Sequence, residues 1–148
     1  MYSIVLLAGG KGSRMKNSIP KQYMLLAGKP VIMHTLERID TIDEICEAVI
    51  VCSSDYVEQI KFMVTQYGIK KPIKYAEAGA SRQASVLSGL EQVTAENVII
   101  HEAARPFVKK TEFLELMNNE NENVIIGSPI SFTVLKGRGK VEGIFDRS

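Results

Sequence analysis

Apolar residues along this chain alternate between short continuous runs and helical spacing. The runs predict buried strands, and apolar residues three or four apart predict helices with one apolar face. Such alternation of strands and helices indicates a doubly wound, Rossmann-like α/β fold with a mostly parallel sheet. The predicted strands are Tyr2–Ala8, Ala48–Cys52, Pro72–Ala76, Asn97–His101 and Val124–Ile126. The predicted helices begin at Pro30, at Ser54, at Ser81 and at Lys110 or Thr111, and the third is expected to be buried through Val86, Leu90 and Val93.

The pattern changes in the segment 128–146. Two alternating stretches, Ile130–Leu135 and Val141–Phe145, flank the basic, glycine-containing Lys136–Lys140. This arrangement predicts a β-hairpin appended to the sheet. Because an isolated hairpin has little core of its own, we expect this arm to pack against a second copy of the chain.

A glycine-rich turn follows the first strand, with three glycines in Gly9–Gly12. Glycine lets a backbone approach a ligand closely, and successive N–H groups form an anion-binding concavity. Arg14 and Lys21 follow with no acidic residue between them, so a phosphate chain is the simplest ligand. The turn lacks the Lys-Ser/Thr pair of a Walker A loop, and Met15 breaks the dinucleotide fingerprint. A glycine turn beside two solvated cations is the alternative.

Composition narrows the class of protein. The 148 residues favour one domain, and 18 basic against 17 acidic residues leave a net charge of +1. We therefore expect no nucleic-acid partner and no membrane partner, since no general basic field and no membrane-length apolar run exist. The start of the chain shows no signal peptide, so the cytoplasm is the expected compartment. Cys46 and Cys52 are expected to be apolar packing residues.

The candidate chemistry lies in three loops that follow predicted strands. Ligands of parallel sheets bind at the carboxyl ends of the strands, so Gly9–Lys21, Glu77–Ser85 and Glu102–Phe107 should meet at one edge. Separated cations and one carboxylate suit phosphoryl or nucleotidyl transfer, in which the protein mainly positions reactants and offsets charge. For Arg82, Arg105 and Glu102 a purely structural role is the alternative.

Several motifs in order resemble those of one enzyme family, the 2-C-methyl-D-erythritol 4-phosphate cytidylyltransferases, which includes ribitol-5-phosphate cytidylyltransferases. The resemblance covers the whole chain, and its hairpin is similar to the family's dimerisation arm. The matching segments are Ala8–Met15 with Pro20–Tyr23, Leu26–Val31 with His34–Leu36, Gly79–Val86, His101–Phe107 and the arm that ends at Asp146-Arg147.

The resemblance implies transfer of CMP from CTP to an alditol phosphate, with release of pyrophosphate. It further implies Mg²⁺ or another divalent cation and a homodimer formed through the arm. 2-C-methyl-D-erythritol 4-phosphate is the preferred acceptor, because the second loop resembles that branch of the family more closely, and ribitol 5-phosphate is the alternative.

The resemblance also implies roles for individual residues. Arg14 and Lys21 are the implied catalytic residues, acting on the α-phosphate. Thr133 and Arg147 would hold the alditol phosphate across the dimer, and Glu102 would be a metal ligand. The implied nucleotide-binding residues are Leu7, Ala8, Gly9, Gly10, Gly12, Gly79, Ala80, Ser85, Glu102 and Ala103.

Two features depart from the family pattern. The family usually has Asp where this chain has Glu102, and its members continue past the arm with further sheet and helix elements. We therefore expect residues 1–148 to be the N-terminal portion of a nucleotidyltransferase domain, with weak or no turnover. A pyrophosphorylase that uses UTP or GTP and a non-catalytic nucleotide-binding module are the other interpretations.

Overall fold

The computed structural model describes residues 1–10, 19–120, 123–127, 135–136 and 143–144. Two compact units divide the chain, Met1–Lys110 and Thr111–Ser148. The strands are β1 (Tyr2–Leu7), β2 (Leu25–Leu26), β3 (Lys29–Pro30), β4 (Ile45–Cys52), β5 (Ile73–Glu77), β6 (Asn97–Glu102), β7 (Leu135–Lys136) and β8 (Gly143–Ile144). The α-helices are α1 (Val31–Asp40), α2 (Ser54–Gln66), α3 (Arg82–Leu90) and α4 (Lys110–Met117), and a short 3₁₀ turn covers Lys21–Tyr23.

A four-stranded sheet forms the centre of the first unit. Its strand order is β5-β4-β1-β6, and every neighbouring pair is parallel. Ile4, Val5 and Leu6 in β1 are completely buried, as are Val49 and Ile50 in β4. Neighbouring side chains of a strand point to opposite faces, so both faces of the two central strands are covered. The predicted α/β fold is confirmed.

Helix α3 lies on one face of this sheet at unusually close range. A Cβ added to Gly89 would lie 2.5 Å from Val5 Cγ1 and 2.8 Å from Val51 Cγ2. The buried residue of the helix is Gly89, whereas Leu90 is 37% exposed. The prediction that Leu90 is buried is therefore wrong, because the helix approaches the sheet through its glycine. The helix also ends at Leu90, earlier than the expected Val93.

The segment between β1 and α1 contains two elements that the apolar pattern did not predict. One is the 3₁₀ turn, and the other is the antiparallel pair β2–β3, which places Leu25 opposite Pro30. Ala27 and Gly28 join these strands with φ values of +50° and +79°. Left-handed conformations at both positions are typical of a tight hairpin turn. Helix α1 then begins after Pro30, as predicted.

A buried carboxylate joins the amino ends of the strands. Ser3 Oγ donates to Glu47 Oε1 at 2.6 Å, and Thr94 donates to the same oxygen from N (2.7 Å) and from Oγ1 (2.9 Å). Lys74 Nζ lies 2.8 Å from Glu47 Oε2. Burial alone would raise the pKa of Glu47, but these contacts outweigh it and lower the pKa to about 2.

The second unit contains the rest of α4 and the β7–β8 pair. Phe113 in α4 is 1% exposed. Leu135 pairs with Ile144 in antiparallel register, which confirms a hairpin at these positions. The other residues of the predicted arm, in 128–134, 137–142 and 145–146, lie outside the described residues, and pairing of two chains through the arm stays a prediction.

The predicted fifth strand at Val124–Ile126 is wrong. The structure assigns no strand within 123–127, and Ile125 is 91% exposed. A β-branched apolar run favours extended backbone, but a strand also requires a neighbour to complete its hydrogen bonds. None of the described strands pairs with this segment.

Candidate functional site

The carboxyl ends of the parallel strands are aligned at one edge of the sheet. Leu7 is in register with Val51 on one side and with Glu102 on the other. The hydrogen bonding continues one residue further, since Ala8 N donates to Val51 O at 2.7 Å and Ala103 N donates to Leu7 O at 3.0 Å. This register brings Glu102 and Ala103 beside the start of the glycine turn, as predicted.

The glycine turn and the second loop touch each other. A Cβ added to Gly9 would lie 2.3 Å from Ala78 Cβ, a distance that real Cβ atoms do not show. Ala78 is held in place because its N–H donates to Cys52 O at 3.0 Å. Glycine is thus required at position 9 by the approach of the neighbouring loop. The prediction that the loops meet at one edge is confirmed for these residues.

The second loop closes around the start of α3. Ser81 caps the helix, and its Oγ accepts from Ala84 N at 3.1 Å. Ser85 Oγ accepts from Gly79 N at 3.0 Å and donates to Ser81 O at 3.0 Å. A hydroxyl has one donor and two acceptor positions, so one acceptor position of Ser85 is left for a ligand. A Cβ on Gly79 would lie 2.5 Å from Ala84 Cβ, so this loop also depends on glycine.

An ion pair connects the second loop with the third. Arg82 Nε lies 2.9 Å from Glu102 Oε1, and both side chains are at least one-third exposed. The residue pattern marks Arg82 as one of the separated cations but does not predict this contact. Exposed ion pairs contribute little to stability, so the pair orients Glu102 rather than holding the loops together.

Lys21 lies at the first position of the 3₁₀ turn and is exposed. Among the residues that the structure describes, it forms no ion pair. The next two residues are buried, and both donate hydrogen bonds to Ala8 O. The backbone of the lysine is therefore anchored to the glycine turn through Gln22 and Tyr23.

Gln22 and Tyr23 lie in the segment Pro20–Tyr23, in which the sequence alone gives a role only to Lys21. Four of the predicted site residues, Gly12, Arg14, Thr133 and Arg147, lie outside the described residues. Among the predicted site residues that the structure describes, Ala80 is exposed, whereas Ala103 is buried and its carbonyl accepts from Thr35 Oγ1 at 3.3 Å.

A groove of about 540 Å³ lies elsewhere in the first unit, between α1 and the third loop. Arg38 and Phe107 are among the residues that line it, and none of the predicted site residues does. The candidate site is therefore recognised by the convergence of loops at the sheet edge and not by the volume of a cavity.

The described side chains offer few ligands for a metal ion. Within the described part of the chain, no three His, Cys, Asp or Glu side chains are grouped in a way that could hold one. Cys46 and Cys52 are both free thiols. Burial, together with the charge of Glu77, raises the pKa of Cys52 to about 11, so this residue stays an uncharged packing group. No helix in the described ranges is long and apolar enough to cross a membrane.

A parallel sheet with a glycine turn and two further loops at its carboxyl edge is the arrangement in which α/β proteins of the doubly wound class bind their ligands. Comparison with known families gives a match over nearly the whole chain. Residues 2–148 match the model of the IspD family, described as 2-C-methyl-D-erythritol 4-phosphate cytidylyltransferase. The chain belongs to this family.

Individual relatives agree with the family match. The chain is 37% identical over 134 residues to the 2-C-methyl-D-erythritol 4-phosphate cytidylyltransferase of Chlamydia pneumoniae, covering 89% of this chain and 60% of that protein. It is 35% identical over 146 residues to the enzyme of the same name from Alkaliphilus metalliredigens, covering 95% and 60%. The chain thus spans about 60% of the length of these relatives.

A solved structure supports the fold. The 4-diphosphocytidyl-2C-methyl-D-erythritol synthase of Anaerococcus prevotii superposes with a TM-score of 0.82 at 24% identity. The match covers 99% of this chain and 64% of that one. At this level of identity the likeness shows a shared fold.

Proposed function

We propose that this chain binds CTP and provides part of the active site that transfers CMP to 2-C-methyl-D-erythritol 4-phosphate. The single observation that carries the proposal is the convergence of Gly9, the loop at Gly79 and Glu102 at one sheet edge, with Lys21 anchored beside them. Both relatives described above bear the name of this activity. No observation on this chain favours ribitol 5-phosphate as the acceptor.

In this proposal, the glycine turn and two cationic side chains bind the triphosphate. Backbone groups of Leu7 to Gly10 and Gly12 line the nucleotide. Lys21, together with Arg14, offsets the negative charge that accumulates on the α-phosphate. The exposure of Lys21 and the lack of an ion pair within the described residues support this role, since its charge is available to a ligand.

The reaction is a displacement at phosphorus. An oxygen of the acceptor phosphate attacks the α-phosphorus of CTP and forms the new P–O bond. The bond from the α-phosphorus to the bridging oxygen breaks, and the electron pair leaves with pyrophosphate. A phosphate nucleophile has no proton to lose at neutral pH, so the protein needs no general base. Its contribution is positioning and electrostatic stabilisation.

The second loop is proposed to recognise cytosine. The free acceptor position of Ser85 suits the exocyclic amino group, which donates hydrogen bonds, whereas uracil presents a carbonyl oxygen in its place. Backbone groups of Gly79 and Ala80 complete the recognition, and Glu102 and Ala103 lie beside the ribose. Selection of CTP over UTP follows from this arrangement.

A divalent cation, Mg²⁺ in the first instance, is proposed as the cofactor. Glu102 fits it as one ligand, because Oε1 is occupied by Arg82 and Oε2 is left for a cation. Mg²⁺ commonly takes one or two carboxylates and completes its shell with substrate phosphates and water. When bound, the cation neutralises charge on the triphosphate.

The arm 128–146 is proposed to pair two chains, so that Thr133 and Arg147 bind the acceptor phosphate of the opposite active site. The β7–β8 register supports a hairpin at the centre of the arm. Light scattering on the purified chain tests the pairing, with the mass of a dimer expected and the mass of a monomer contradicting it.

The test of the nucleotide proposal is calorimetric titration of the 148-residue chain with CTP and with UTP in the presence of Mg²⁺. CTP is expected to bind more tightly than UTP. The substitution Lys21→Ala should weaken CTP binding about tenfold, since a charge-assisted contact is lost. Titration with each alditol phosphate in the presence of CTP and Mg²⁺ identifies the acceptor as the one that binds more tightly.

Lys70→Ala is the matched control. Lys70 is an exposed lysine that precedes the amino end of β5, at the opposite edge of the sheet. This variant should bind CTP as the unsubstituted chain does. Equal affinity for CTP and UTP, or full CTP affinity in Lys21→Ala, would contradict the proposed function.

A further inference from the structure

Gln22 is a buried amide side chain with an unusual set of partners. It is 3% exposed and lies in the middle of the 3₁₀ turn, directly after Lys21. Its Nε2 donates to Ala8 O and, at 3.0 Å, to Gly10 O. The amide group has two hydrogens, and each of them is used by one carbonyl of the glycine turn.

The two carbonyls lie on either side of Gly9, so their contact with Gln22 fixes the direction in which the neighbouring peptide groups point. In a planar trans peptide the C=O and the N–H point in opposite directions. The carbonyl of Ala8 faces Gln22, so the N–H of Gly9 in the same peptide group faces away from it. An anion bound at the turn thus meets the N–H side of this peptide, while the negative ends of two carbonyl dipoles are held by Gln22.

Tyr23 adds a second donor to the same carbonyl. Its hydroxyl donates to Ala8 O at 3.3 Å, and its ring stacks on Tyr56 of α2 with the centroids 4.3 Å apart. Burial raises the pKa of the Tyr23 hydroxyl, so the group remains a hydrogen-bond donor over the neutral range. The turn segment that carries Lys21 is therefore fixed to the end of β1 and to α2.

We propose that Gln22 is a positioning residue of the nucleotide site, which turns the carbonyls of Ala8 and Gly10 away from the triphosphate and fixes Lys21 beside the turn. The inference rests on the proposed function for the identity of the ligand. In this role Gln22 acts through the glycine turn and through Lys21.

The test compares Gln22→Met with the unsubstituted chain. Methionine keeps the length of the side chain and removes both donors. We expect about tenfold weaker CTP binding in titrations of the 148-residue chain, since a weakly oriented turn binds phosphate poorly. We also expect faster hydrogen exchange in the peptide that covers residues 4–10, with exchange in β4 unchanged.

A matched control and a second variant separate positioning from folding. Gln66→Met makes the same substitution at the exposed end of α2 and should change neither measurement. A purely structural role would lower stability while the folded molecules kept their CTP affinity, and this result would overturn the inference. If Gln22→Met does not fold, Gln22→Asn decides by the same measurements, because its shorter side chain keeps the amide but reaches only one carbonyl.

The two proposals fail in different ways. If the unsubstituted chain binds no CTP, the proposed function fails. Hydrogen exchange still reports on the contact between Gln22 and the carbonyls of Ala8 and Gly10. Unchanged exchange of residues 4–10 in Gln22→Met would then reject the positioning role, and faster exchange confined to them would support it.

Discussion

At the amino ends of the four parallel strands polar groups are buried and paired, whereas at the carboxyl ends glycine backbone and cations are exposed. Glu47 receives hydrogen bonds from Ser3 and Thr94 and an ion pair from Lys74. By contrast, Gly10 and Lys21 at the other end are open to solvent. The polar groups at the amino ends thus bond to one another, whereas those at the carboxyl ends are exposed, as a ligand site requires.

The difference shows how one sheet separates stability from binding. A buried carboxylate is tolerated only when its hydrogen bonds are complete, so the Glu47 cluster has no capacity for a ligand. Close glycine contacts at the other end bring loops together without filling the space above them. Substitutions at the amino end should change the free energy of unfolding, and substitutions at the carboxyl end should change nucleotide affinity.

The largest expected effect follows removal of the buried carboxylate. Glu47→Ala should lower the free energy of unfolding by about 3 kcal/mol, because Lys74, Ser3 and Thr94 lose their shared partner. Urea denaturation measures the loss. The CTP affinity of the folded variant should stay within about twofold of the original, as the ligand site lies at the other end of the sheet. Glu96→Ala, at an exposed glutamate nearby, is the control and should be close to neutral.

A second effect of the same cluster should appear on acidification. The pKa of Glu47 is about 2 in the folded chain, compared with 4.5 for an unperturbed glutamate. Between pH 4.5 and pH 2 the carboxyl group of Glu47 is protonated in the unfolded chain before it is protonated in the folded one. The stability that this group contributes above pH 4.5 is therefore lost as the pH falls toward 2. Denaturation at several pH values measures this slope, which should be shallower in Glu47→Gln. Equal slopes in the two proteins would rule out this contribution of Glu47.

The smallest expected change in free energy concerns the ligand end. Gly79→Ala places a Cβ 2.5 Å from Ala84 Cβ and 2.8 Å from Ala84 C, so the second loop must move away from α3. CTP affinity should fall about tenfold, equivalent to about 1.4 kcal/mol, as Ser85 is displaced. Calorimetry measures the change. Gly127→Ala is the control, because within the described part of the chain no atom beyond its immediate neighbours lies within 4 Å of the added Cβ; equal CTP affinities in the two variants would refute the role of the loop.

The apolar pattern predicted the centre of the fold well, for a physical reason. Central strands of a parallel sheet are buried on both faces, so the greater part of β1 and β4 consists of continuous apolar runs, interrupted only by Ser3 and Glu47 of the buried polar cluster. Helix α1 was predicted from a single apolar face, and Ile32, Leu36 and Ile39 are indeed buried. In these elements local sequence and tertiary contacts favour the same structure.

The pattern failed where burial depends on a partner that the sequence does not name. Val124–Ile126 has the composition of a strand but no pairing strand among the described residues. In α3 the buried position is Gly89, which carries no apolar side chain and so gives no signal in a hydrophobic pattern. A close approach between helix and sheet is visible only in three dimensions.

The candidate site divides in the same way. The sequence alone determined that a glycine turn follows β1, that cations accompany it and that two further loops follow later strands, because these features depend on residue type and order. Only the tertiary structure decided that Gln22 holds Ala8 and Gly10, that Arg82 pairs with Glu102 and that Glu47 is satisfied at the far end. Each of these contacts joins residues 12 to 47 positions apart, and such pairs are specified by strand register and packing rather than by any local pattern.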